Sequence, residues 1–155
     1  MTSFRITGLS PEPFAEMFGL DDTSLAARRA RRVRAADRPL PDRIGLRDLG
    51  PGETALLVNY LHQPAETPYR ASHAVYVCEG ATERYDAVNA VPAMLRSRIL
   101  SLRAFDEAGM LVDADVVDGR GVETLIARLL AQPQVAYVHA HFAKHGCYAA
   151  LITRA

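Results

Sequence analysis

The sequence predicts an α+β fold: a mostly antiparallel sheet built from hairpins, with helices packed on one side. Three observations carry this. Short apolar segments come in neighbouring pairs joined by turn residues, rather than alternating with helices. One segment, "VETLIARLLAQ", repeats its apolar residues at helical spacing. The chain of 155 residues has an ordinary apolar fraction and suffices for one domain around one core.

Along the chain, "FRITGL" (4–9) is expected as a short strand. In "SPEPFAEMFG", Ser10 can cap, Pro11 suits the first helical position and Gly19 the exit, so a helix is predicted over 11–18. A second helix starts at Asp21 or Asp22, and "RRVRAA" either continues it or turns into a strand. The segment 37–54 is dense in Pro, Gly and Asp and reads as loop, with one short strand around Arg43–Arg47. "ALLVNYLH" (55–62) and "HAVYVCE" (73–79) are expected as hairpin partners around a long connection. "GATERYDAVNAV" is irregular, and Pro92 opens a short helix. Strands at 98–105 and 110–117 flank a turn containing Gly109. In the helix that follows, Val122, Leu125, Ile126, Leu129 and Leu130 share one face. Strands "QVAYVHAHF" and "CYAALITR" close a last hairpin around "AKHG".

Composition excludes several classes. Formal net charge is zero, from 18 basic and 18 acidic residues, which argues against a general nucleic-acid binder. The arginine run "RRARRVR" (28–34) is read as a solvated or salt-bridged surface, since no aromatic residues interleave it. No run of about 18 apolar residues exists, so no membrane span is expected. The N-terminus lacks the pattern of an export signal, and the two cysteines, Cys78 and Cys147, read as reduced thiols. A cytoplasmic location is the expectation.

Strand alternation then points to a site. Tyr137, His139 and His141 share one face of their strand, and Tyr60 and His62 end the face that begins with Leu56 and Val58. His62 closes one strand of a hairpin and His73 opens the other. The intervening "QPAETPYRAS" stiffens its loop with Pro64 and Pro68 and offers Gln63, Tyr69, Arg70 and Ser72 as donors. Arg70 has the planar fork that suits a carboxylate or phosphate; it equally suits an internal acidic partner. The expected constellation places Tyr60, Gln63, Tyr69, Arg70, Ser72, His141 and Tyr148 around a ligand. His62, His73, Asp115, His139 and Cys147 are the candidate acids, bases or nucleophile. The ligand is expected to be small, polar and anionic. The cofactor, if any, is unknown, and no zinc signature such as His-Glu-x-x-His occurs. "DADVVDGR" lacks the spacing of a calcium loop, and Asp118 is expected to cap or turn. Two alternatives stay open: a self-associating or partner-binding module, as a homodimer for instance, and a histidine-based metal binder.

Three blocks, "NYLHQPAETPYRASHAVYV", "FDEAGMLVDADVVDGR" and "VAYVHAHFAKHGCYAA", resemble the family called domain of unknown function 1203, and the likeness extends back to "FRITGLSPEPF". The resemblance implies a small bacterial protein and supplies no activity. Members of that family often carry a cysteine near the position of "PDRIGL"; Asp42 here departs from it, so no role for that thiol carries over.

Overall fold

The computed structural model describes residues 2–155. It is mostly β, 41% strand against 17% helix, so the α+β expectation holds loosely. The strands divide between two sheets rather than one.

The six-stranded sheet has β7 (Asp86–Val88), β1 (Phe4–Thr7), β11 (Tyr148–Arg154), β10 (Tyr137–Phe142), β8 (Ile99–Phe105) and β9 (Leu111–Asp118) in that spatial order. All its pairs are antiparallel. Helix α4 (Val122–Leu130) covers one face. There Leu125, Ile126 and Leu129 meet Leu100 and Leu102 of β8, Val138 and Ala140 of β10 and Ile152 of β11. This is the larger core, and it forms because both helix and strands present apolar residues at their own period.

The five-stranded sheet runs β2 (Arg31–Arg34), β5 (Thr54–Gln63), β6 (Ala71–Cys78), β3 (Leu40–Asp42) and β4 (Arg47–Leu49). Its pairs are antiparallel except for one parallel bridge between Asp42 and Tyr76. The inner face of the long β5–β6 hairpin carries Leu56, Val58, Val75 and Val77. These pack on Ile44, on Phe14 of α1 (Glu12–Ala15) and on Leu25 of α2 (Asp22–Ala27). Tyr148 of β11 joins this second core from the other sheet.

Some local expectations are corrected, and others are met or resolved. The strand expected at 43–47 is a turn between β3 and β4, held because the Asp42 carboxylate accepts from the amides of Ile44, Gly45 and Cys78 at 2.8–2.9 Å. "RRVR" is strand β2 rather than a helix extension. The segment 86–88 pairs with β1, although "GATERYDAVNAV" carries no strand pattern. The first helix is only four residues long, and α2 starts after Asp21, whose carboxylate accepts from Ser24 N. Short helix α3 spans Ala93–Arg96 after Pro92. Asp118 caps a single 3-10 turn at Gly119–Gly121.

Candidate functional site

Three strands bring imidazoles together where the sheets meet. On β10, Val138, Ala140 and Phe142 enter the larger core, so Tyr137, His139 and His141 must face the other sheet. Between β10 and β11 the register slips: Ala140 opposes Ala150, but His141 opposes Tyr148. This bulge at Ala149 turns the Tyr148 ring toward the imidazoles. A second irregularity falls at His62 on β5, between the pairs Leu61–Ser72 and Gln63–Ala71. Such bulges re-aim side chains.

The result is a packed aromatic cluster. His62 lies 5.0 Å from His141 and 6.2 Å from His139, edge to face, measured between ring centroids. Tyr148 stacks nearly parallel on His62 at 5.5 Å and meets His139 edge-on at 5.1 Å. Tyr60 extends the cluster from Tyr148 toward Phe14. Tyr137 and Phe105 flank His139 on the other side. His139 is 5% exposed, His141 1% and Tyr148 4%.

Burial sets the charge state. It pushes His139 and His141 down to about 3, reinforced by the neighbouring imidazoles and by Arg103. His62 is also lowered, by burial first and then by Arg103 and His73. All three are therefore neutral at pH 7. The charges bearing on them are other imidazoles and Arg103; no carboxylate is among them. His141 Nδ1 lies 3.0 Å from the Gly146 carbonyl. A carbonyl only accepts, so Nδ1 carries the hydrogen and Nε2 keeps its lone pair. The Nδ1 atoms of His62 and His139 are buried with no hydrogen-bond partner among the described residues. Such orphaned groups are uncommon in folded proteins.

The expected constellation assembles only in part. His62, His139, His141, Tyr148 and Tyr60 come together. His73 is partly buried on the same face as its cross-strand neighbour Tyr60, near enough to bear on His62 and His141, with Nδ1 directed to the carbonyl of Ala74. Gln63 is buried and donates to the Tyr137 hydroxyl at 2.9 Å. Tyr69 is exposed and touches Phe105 edge-on. Ser72 pairs with exposed Leu61 on the outer face of the hairpin, away from the imidazoles.

Asp115, Cys147 and Arg70 do not join the cluster. Asp115 opposes Leu102, whose side chain lies in the helix-covered core, so it sits on the far face of the sheet and pairs with Arg128 of α4 at 2.9 Å. Cys147 belongs to that core too, where its sulfur accepts from buried Arg43 at 3.0 Å. Arg43 also donates to the carbonyls of Tyr148 and Pro41 and stacks on Phe142. Arg70 is exposed and closes its own loop, on the Pro64 carbonyl and Glu66.

Arg103 takes the place expected of Arg70. It opposes His139 across the β8–β10 pair and is partly buried. Among the described residues its guanidinium makes no hydrogen bond or ion pair, whereas the other arginines with unpaired side chains (Arg29, Arg31, Arg34, Arg38 and Arg84) are exposed. The available signal was an arginine between Leu102 and Ala104 in an apolar strand; its neighbour was not readable without the register. Beside His139 lies an open hollow of about 590 Å³, lined also by Gln63, Pro64, Ala65, Ala136, Tyr137, Leu151 and Thr153. Among the described residues, no group of three or more His, Cys, Asp or Glu side chains is arranged to hold a metal ion.

Fold and site together define a two-sheet, mostly antiparallel protein with a neutral imidazole–tyrosine seam beside an unpaired guanidinium. The chain belongs to the family described as protein of unknown function (DUF1203), whose model matches residues 39–154. The match leaves out strands β1 and β2 and helices α1 and α2, which the resemblance had included. Searches of curated proteins and of solved structures returned no match. No helix is long and apolar enough to cross a membrane among the described residues.

Proposed function

We propose that the seam between the sheets binds a small, polar, anionic ligand, with Arg103 supplying the charge and His62 and His139 supplying hydrogen bonds. The observation that carries this reading is Arg103 itself: a partly buried guanidinium with no acidic partner, beside two imidazoles with orphaned ring nitrogens. Leaving a guanidinium half-desolvated and unpaired is costly, and an anion offsets that cost. Neutral imidazoles either donate or accept, so they adapt to the oxygens of such a ligand.

Titration with sulfate and phosphate, followed by the histidine ring resonances, tests this. Saturable shifts of His62, His139 and His141 are expected. Arg103→Gln should weaken binding by about tenfold or more, the usual loss for a charge-assisted hydrogen bond. Arg70→Ala should leave it unchanged. Absence of saturable binding, or loss with Arg70→Ala and not with Arg103→Gln, would overturn the proposal.

A further inference from the structure

His139 belongs to two environments at once. One side of its backbone pairs with Arg103 on β8 and the other with Leu151 on β11. The Leu151 side borders the hollow, whose walls are chiefly carbon: Pro64, Ala65, Ala136, Leu151 and the Tyr137 ring. Polar groups there are few. Tyr137 Oη accepts from Gln63, which leaves its own O–H hydrogen for an acceptor, and Thr153 supplies a hydroxyl. The hollow is shallow and open, and its apolar walls extend past what an inorganic oxyanion would cover. Arg103 and Leu151 flank His139 on adjacent strands, two interstrand spacings or roughly 10 Å apart. Arg103 does not itself line the hollow; His139, whose Nδ1 is buried without a partner, is the residue that links the cationic side to the apolar trough.

We infer that the ligand is an organic carboxylate with an apolar body, its carboxylate held by Arg103 and His139 and its hydrocarbon part lying in the hollow against Leu151 and Ala136. This rests on the anion-binding reading above and adds the chemistry of the rest of the ligand. The absence of carboxylates around the imidazoles matches the sign of the head group, and the carbon-rich walls match the body.

The test is calorimetric titration with acetate, butanoate and hexanoate, and with hexan-1-ol as the uncharged counterpart. Affinity should rise along the acids by about threefold to fourfold for each added methylene that is buried. Hexanol should bind at least about tenfold more weakly than hexanoate. Leu151→Gln, at a partly exposed position, should abolish the gain in affinity with chain length. Equal affinity for the three acids would overturn this inference and leave the anion site standing. Equal binding of hexanol and hexanoate, or hexanoate binding unaffected by Arg103→Gln, would overturn the anion reading on which it rests.

Discussion

His139 is the residue on which burial and charge bear most directly. Phe105, Tyr137 and Tyr148 surround its ring, and the groups facing it with charge or a titratable proton are His62, His141 and Arg103. Its folded value of about 3 lies below the ordinary 6.5, as does that of His141. The unfolded chain therefore binds more protons between these values, and stability falls as pH drops below about 6.5. Each group contributes a slope of about 1.4 kcal/mol per pH unit over that range. Urea unfolding at pH 7, 6 and 5 should show midpoints falling with pH, and His139→Phe should flatten the dependence. Parallel curves for the two proteins would mean that His139 is not held neutral. The histidines themselves were legible in the sequence, because alternation assigns Tyr137, His139 and His141 to one face. Arg103 and Arg70 were not distinguishable there: each is an arginine near an apolar segment, and only pairing decides which one meets an imidazole.

Strands and turns supply the irregularities that aim these groups. Hairpins β5–β6, β8–β9 and β10–β11 were readable from period and turn residues. Their bulges were not, since one extra residue leaves the apolar pattern nearly intact. A bulge between Ala104 and Phe105 likewise shifts β9, so that Ala114 and Val116 face outward and Asp113 and Asp115 lie beside α4. Two ion pairs to Arg128 make that acidic face compatible with the helix. The turn before β9 also matters to the site. Gly109 has φ +83°, and a Cβ added there would fall 2.3 Å from the Cβ of Ala65. Thr67 reaches the carbonyl of the same glycine at 3.1 Å. Gly109→Ala should cost about 1–3 kcal/mol in urea unfolding and displace the 64–70 loop. Adding Ala65→Gly should recover part of that loss, the part due to collision rather than backbone angle. Failure to recover any would assign the whole cost to the backbone.

Two sheets sharing one seam could not be deduced from strand count alone; order and register across distant segments decide it. The chain's charges sum to zero, yet they are not evenly spent. Arg5, Arg32, Arg47, Arg96, Arg98, Arg120 and Arg128 each meet an acidic side chain within 3 Å. Arg43 ties the turn after β3 to the first residue of β11, a polar clasp between the sheets. Among the described residues, Arg103 alone of the partly buried arginines is left without such company, which concentrates positive potential at the seam.

That solitary guanidinium has a thermodynamic corollary. An anion settling beside it would favour the protonated form of the nearest imidazole, so occupancy and hydrogen-ion uptake become linked quantities. Heats of association measured in phosphate-free buffers of differing ionisation enthalpy should then diverge as pH falls toward about 4 and converge by pH 7. Identical heats in every buffer would show the guest arriving unaccompanied.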